Sequence, residues 1–158
     1  MKKTLISILA MLVLFLAVDE VLGEATEPYA AERAAAIAAV QTAMPDAVID
    51  YALRDRDDGR YEWNVFFKQS GVLGEAKVIE GGNEVRRVEM FNQSREGSLT
   101  ASEAMAKLSQ EKGDMTVVDL ELDWDDGRLS YEGEAEMNGK RYEFEITTEG
   151  VVIEWERD

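Results

Sequence analysis

The chain has 158 residues, 33 acidic against 17 basic side chains, a net charge of −16 and 46% hydrophobic residues; this suffices for one ordinary domain or two small ones and is too apolar for disorder. It contains no cysteine and no histidine, which excludes disulfide support, the usual zinc ligand, the usual general base, and serine or cysteine nucleophiles activated by histidine. The negative excess argues against nucleic acid and anionic lipid, whose phosphates are met by lysine and arginine, and suits cations or a basic partner protein.

The amino end stands apart. Met1-Lys2-Lys3 is a basic start, Thr4 to Val18 is an apolar run of 15 residues, Asp19 ends it, and small residues follow at Gly23 and Ala25. That is the layout of a secretory signal, and the run is short of the roughly 20 residues a spanning helix needs. Residues 1–23 are therefore expected to be a cleaved signal, which places the protein in the periplasm or outside the cell, with no membrane association after cleavage. With no cysteine near the cleavage region, a lipid anchor is excluded. Cleavage removes two lysines and two acids, so the net charge stays at −16.

A first unit is predicted over residues 26–91. Thr26-Glu27-Pro28 carries helix-start signals. Tyr29 to Met44 is alanine-rich, with Ile37, Val40 and Met44 on one face, and Pro45-Asp46 stops it. Ile49, Tyr51 and Leu53 then alternate with polar residues up to an Asp58-Gly59 turn. Tyr61, Trp63, Val65 and Phe67 alternate through a second strand. A third strand is predicted over about Val72 to Glu80 and a fourth over Val85 to Phe91, joined by Gly81-Gly82-Asn83.

Asn92 to Ser98 is the polar junction before a second unit, residues 99–158. Thr100 and Glu103 form a capping box, and Ala101, Met105 and Leu108 share one side of a helix ending near Gly113. Four strands follow, with turns at Asp126-Gly127, Asn138-Gly139 and Glu149-Gly150. Asp57-Asp58-Gly59-Arg60 returns 68 residues later as Asp125-Asp126-Gly127-Arg128, so the chain reads as a duplicated helix-plus-four-strands unit. The predicted fold is α+β: two tandem α-β4 units whose antiparallel sheets join or pack side by side, with helices on one face.

The second unit alternates cleanly. Val118, Leu120, Leu122, Trp124, Leu129, Tyr131, Ala135, Met137, Tyr142, Phe144, Ile146, Val151, Ile153 and Trp155 fall on the face that needs cover. Asp119, Glu121, Asp123, Glu132, Glu134, Glu136, Glu143, Glu145, Glu154 and Glu156 fall on the other, the pattern of a sheet with one buried and one wet face. Ten acids on one face are either a solvated, aggregation-resistant surface or a dock for a basic protein or divalent cations. The first unit is less tidy, because Phe66, Leu73, Ile79, Val88 and Met90 break the alternation. They form an exposed partner-binding patch, or they pack against the other unit.

Asp55-x-Asp57-Asp58-Gly59 and Asp123-x-Asp125-Asp126-Gly127 look like pieces of a calcium loop, with Asp123 and Asp125 the candidate ligands. The glycine comes one position early for an EF-hand, and no matching glutamate follows. Hairpin turns explain both copies. No cofactor is implied, and no nucleophilic or pocket-forming motif accompanies the carboxylates, so no catalytic residue is assigned. The tryptophans Trp63, Trp124 and Trp155, at alternating strand positions, are expected in the core.

Two segments resemble the PepSY-like family of bacterial exported proteins, including its beta-lactamase-inhibitor-like branch. One is Met44-Pro45-Asp46-Ala47 with Tyr61-Glu62-Trp63-Asn64-Val65 and Val85-Arg86-Arg87-Val88-Glu89. The other runs from Gly127-Arg128-Leu129-Ser130-Tyr131-Glu132-Gly133 through Gly139-Lys140-Arg141-Tyr142-Glu143-Phe144-Glu145 to Val151-Val152-Ile153-Glu154-Trp155. The resemblance implies a helix on an antiparallel sheet, sometimes in tandem, and binding or inhibition, often of extracellular peptidases, without catalysis. The functional expectation is an exported, non-enzymatic binding module for another extracytoplasmic protein. The alternative is a divalent-cation-binding or envelope-stress protein that uses the acidic face.

Overall fold

The computed structural model describes residues 29–158 apart from 58, 80, 82 and 83; the predicted signal over residues 1–23 and the helix-start signals at 26–28 lie outside the described residues. Helix α1 (Ala30–Ala43) leads into a sheet of β1 (Val48–Asp57), β2 (Arg60–Gln69), β3 (Val72–Ile79) and β4 (Val85–Phe91). Helix α2 (Ala101–Lys112) leads into β5 (Thr116–Asp125), β6 (Arg128–Met137), β7 (Lys140–Thr147) and β8 (Val152–Arg157). Each sheet is an antiparallel meander in sequence order, and the two are not hydrogen-bonded into one. The expected α+β pair of α-β4 units is what forms, with the sheets packed rather than joined.

The repeat keeps one spacing through the first three strands of each unit, while β4 and β8 begin at Val85 and Val152, one residue closer. Strands β1, β2 and β3 begin at Val48, Arg60 and Val72, and β5, β6 and β7 begin 68 positions later at Thr116, Arg128 and Lys140. The register shifts between Ile49 and Tyr51 and between Lys77 and Val78 reappear at Val117/Asp119 and Glu145/Ile146, each displaced by the same 68 residues. Bulges are specified by local backbone geometry, so two copied bulges mark a copied backbone. Side chains are exchanged to suit. Phe67 faces Gly74 across β2 and β3, while its counterpart Ala135 faces Tyr142, so large against small becomes small against large. A Cβ on Gly74 would collide with the Phe67 ring.

The hairpin turns follow from the sequence. Asp126 and Gly127 (φ 48° and 78°), and Asn138 and Gly139 (φ 53° and 70°), both take left-handed conformations, as the tight two-residue turn that matches strand twist requires. Ser70 with Gly71 (φ 51° and 84°) makes the same turn in the first unit.

Two cores result. In the first, Ala36, Ile37 and Val40 of α1 cover Ala52, Trp63, Val65, Phe67, Ala76 and Val78. In the second, Ala101, Ala104, Met105 and Leu108 of α2 cover Leu120, Leu122, Leu129, Tyr131, Ala135, Phe144 and Ile146. Phe66, Leu73 and Phe91 of the first unit belong to this second core, with Tyr51 and Leu53 packed against it. The first sheet is therefore buried on both faces, and β2 has no exposed residue from Glu62 to Phe67.

The second sheet departs from the expected alternation at three places. Trp124, near the end of β5, is 41% exposed, Val151 sits in the turn before β8 at 56%, and Ile153 is at 41% beside the Glu145/Ile146 shift. Edge and bulge positions lose helix cover, so apolar character alone did not place them inside. Trp63 is buried in the first core, and Trp155 is half-buried and stacked on Tyr142 with ring centroids 4.8 Å apart.

Candidate functional site

The second unit stands edge-on against the first sheet. Strand β5 is the edge of its own sheet, and an edge strand carries unpaired backbone groups that must find partners when buried. Here side chains of the first sheet supply them. Asn64 Nδ2 donates to Leu120 O at 3.1 Å, and Leu122 N–H donates to Glu75 Oε2 at 2.9 Å. Asp50, the extra residue of the β1 bulge, turns its carboxylate onto the start of α2, accepting from Ser102 N–H at 2.8 Å and from Ser102 Oγ at 2.6 Å. The capping box adds Thr100 N–H to Glu103 Oε2 at 2.9 Å. A bulge in one unit thus caps the helix of the other.

This seam is charged. Lys77 Nζ lies 2.6 Å from Glu121 Oε1 and 3.4 Å from Glu62 Oε1. Burial of Lys77 would lower its pKa, but the bond to Glu121 and the fields of Glu121, Glu75 and Glu62 outweigh it and hold the amine well above its usual value. Glu75 is 6% exposed; burial pushes its carboxyl up to about 7, with Glu121 and Glu89 adding to the rise and the Leu122 N–H and Lys77 opposing it.

Beyond the seam, the outer face of the second sheet carries two carboxylate rows, each spanning all four strands. The registers align Glu121, Glu132, Glu145 and Glu154 in one row, and Asp119, Glu134, Glu143 and Glu156 in the other. Directly opposed like charges cost a few tenths of a kcal/mol each, about 0.2–1 at most. Some are answered locally: Arg141 Nη1 bonds Glu134 at 2.9 Å, its Nη2 bonds Glu136 at 3.2 Å, and Ser130 Oγ donates to Glu145 at 2.7 Å. Among the described residues no basic side chain pairs with Asp119, Glu132, Glu143, Glu154 or Glu156.

Between the rows lies a shallow groove of about 280 Å³ lined by Asp119, Glu121, Glu132, Glu134, Glu143, Glu145 and Glu154. Burial raises the Asp119 carboxyl to about 6, helped by Asp55 and Glu121, and burial followed by Glu145 raises Glu132. Asp119 Oδ1 is out of contact with solvent and has no hydrogen-bond partner among the described residues. The groove concentrates negative potential that Lys77 and Arg141 neutralise only in part, which suits a cationic ligand.

All ten acids predicted for the outer face, Asp119, Glu121, Asp123, Glu132, Glu134, Glu136, Glu143, Glu145, Glu154 and Glu156, fall on alternating strand positions of one face. The five predicted partner-binding residues do not form one surface. Phe66 and Leu73 are each 2% exposed and buried against the second unit, and Met90 packs on the α1 core. Ile79 (40%) and Val88 (41%) are exposed, but Ile79 alternates with Leu73 and Glu75 while Val88 pairs with Ala76 on the helix face. The broken alternation came from a sheet buried on both sides. As for calcium, Asp123 and Asp125 lead into a tight Asp126-Gly127 turn, and among the described residues no three acids are grouped to hold a metal ion.

The residues that sequence reasoning missed are Asn64, Glu75 and Asp50. Each lies inside a strand, and its partner is 47 to 56 residues away in sequence. The one available signal was Asn64 and Glu75 sitting within otherwise apolar runs.

Together these features define a tandem α-β4 module with a charged seam and an open carboxylate face. Residues 98–147, from the cap of α2 to the end of β7, match the PepSY family, described as a peptidase propeptide and YPEB domain. The resemblance noted from sequence is thus met in the second unit. Solved structures with a similar chain path include a candidate lipoprotein from Clostridium difficile 630, 17% identical over 78% of this chain and 90% of that one, with a TM-score of 0.44. A candidate periplasmic protein from Bacteroides eggerthii DSM 20697 is 11% identical over 78% and 86%, with a TM-score of 0.32. A DUF2874 family protein from Bacteroides ovatus ATCC 8483 is 12% identical over 78% and 85%, with a TM-score of 0.31. These are distant likenesses. No curated protein matches the chain. No described helix is long and apolar enough to cross a membrane.

Proposed function

We propose that this chain is an exported, non-enzymatic binding module that engages, and by engaging inhibits, another extracytoplasmic protein such as a peptidase. One observation carries the reading: the segment that matches a peptidase-propeptide family, residues 98–147, is also the segment that builds most of the open carboxylate face. A propeptide-type domain works by occupying a surface of its enzyme, and an acidic face with few bases on it is a surface for a basic counterpart. The apolar start of the chain supports export to the periplasm or beyond. Chemistry on the protein's own account is disfavoured by the absence of histidine and cysteine and by carboxylates that form rows on an open face rather than a pair flanking an enclosed cleft.

The test is inhibition. Purified protein is titrated into the secreted and envelope fractions of its own host while peptidase activity is followed on a general casein substrate. The reading expects a saturable, stoichiometric loss of one activity and co-elution of that peptidase with the protein. Unchanged activities across all fractions, with no complex on size exclusion, reject it.

A further inference from the structure

The seam supplies a worked instance of what the outer face of such a sheet receives. The first sheet takes up an edge strand: Asn64 donates to Leu120 O and Glu75 accepts from Leu122 N–H. Shifted by the 68-residue repeat, these positions become Glu132 and Glu143 on the second sheet, where they line an open groove with no other element over them among the described residues. Glu143 repeats Glu75, so the carboxylate that receives an edge-strand N–H in the first unit is present again, unoccupied. Glu132 replaces a donating amide with an acceptor. The apolar surroundings change in the same sense. Tyr51, Leu53 and Phe66, which pack the seam, correspond to Asp119, Glu121 and Glu134. One polar contact position is kept at Glu143, while the surface around it turns from apolar to anionic. The two faces also meet, since Glu121 belongs both to the groove and to the seam ion pair with Lys77.

We propose that the outer face of the second sheet docks an edge strand of a partner protein, edge-on as β5 docks on the first sheet, with lysine or arginine side chains flanking that strand. One backbone N–H of that strand meets Glu143 as Leu122 N–H meets Glu75, a lysine or arginine side chain meets Glu132, and the remaining cations lie along the two carboxylate rows. Charge complementarity gives the partner its chemistry, and the internal repeat gives it its orientation. This rests on the reading of the chain as a binding module and assigns that module its face and ligand.

The test uses the purified protein and a backbone-cyclised β-hairpin peptide with alternating lysine and threonine on its outer strand, titrated at 150 mM salt. The control is the all-D enantiomer, which has the same charge and a mirrored edge. One-to-one binding of the L form at least tenfold tighter than the D form is expected. Glu132→Gln with Glu143→Ala, both at outer-face positions, should weaken it tenfold or more without lowering the melting temperature. Glu111→Gln, exposed on α2 and away from the outer face, should leave it unchanged. Equal affinity for both enantiomers means diffuse charge attraction and overturns the proposal, as does no binding of either, or binding indifferent to Glu132 and Glu143. If the peptide fails while a peptidase is still inhibited, the docking face is wrong and the binding function stands on another surface.

Discussion

Replacing Glu75 by glutamine should make this protein more stable above neutral pH and leave it nearly unchanged under mild acid. Glutamine keeps the acceptor for Leu122 N–H and nearly the same volume, so it removes only the charge. The Glu75 carboxyl is pushed from 4.5 to about 7, chiefly by burial. A rise of that size corresponds to about 3 kcal/mol, at roughly 1.4 kcal/mol per unit, between the fold with Glu75 protonated and with it ionised. Because the folded value lies above the unfolded one, this contribution is fully present below about pH 4.5 and is lost as pH rises through about 7. Asp119, raised to about 6, acts in the same direction over a lower window, but it is only half-buried and its share is smaller. Lys77 keeps its charge throughout this range. Urea denaturation at pH 5 and pH 8 reads the effect. The wild type should lose about 2–3 kcal/mol between the two, and the variant much less. Parallel pH profiles for both proteins would refute the assignment of a strained, buried carboxylate to the seam.

Two further outcomes concern the same seam and a third the β5 bulge. Asn64→Leu strands the Leu120 carbonyl at the buried edge of β5 and should cost about 1–3 kcal/mol by urea denaturation. Phe66→Ala empties a site where the ring lies 6.2 Å from Tyr51 and 6.1 Å from Tyr131; a loss of about 3–5 kcal/mol is expected, with near-UV dichroism of both units changed. Gly133→Ala sets a Cβ against the Asp119 carbonyl at the β5 bulge, where backbone cannot yield cheaply. It should destabilise by about 1–3 kcal/mol in thermal melts although it is a strand position where alanine is usually harmless.

The second unit was legible because only one of its faces is buried. Leu120, Leu122, Leu129, Tyr131, Phe144 and Ile146 repeat with period two, and the acids between them mark the wet side. The first unit was read less well for a physical reason. Trp63, Val65 and Phe67 face α1, and Glu62, Asn64 and Phe66 face the second unit, so β2 is buried at every position and alternation vanishes. A strand buried on both sides cannot announce which face meets which partner. The same holds for Asp50. As the extra residue of a bulge it has no cross-strand partner to reveal it, and its target, Ser102, lies on a helix 52 residues away. Turn chemistry, by contrast, is local, so Asp126-Gly127 and Asn138-Gly139 were readable from two residues each.

The divergence between the two outer faces bears on why the acids are there at all. The face of the first sheet that seats the other unit carries Tyr51, Leu53, Phe66 and Leu73, and on the second sheet those positions hold Asp119, Glu121, Glu134 and Arg141. Were they apolar, the second sheet would present a greasy surface of the kind that drives association. A variant with Asp119→Tyr, Glu121→Leu, Glu134→Phe and Arg141→Leu creates that surface, and sedimentation should find it associated at concentrations where the wild type keeps its size. Solubility alone would be met by any polar residues at these positions. Glutamine at Glu132, Glu143, Glu154 and Glu156 would relieve the cross-strand repulsion and keep the face wet, and that variant should melt higher than the wild type at low salt by a few degrees, with the difference shrinking as salt is added. If it melts lower, or if the difference is insensitive to salt, the carboxylate rows are not under mutual repulsion.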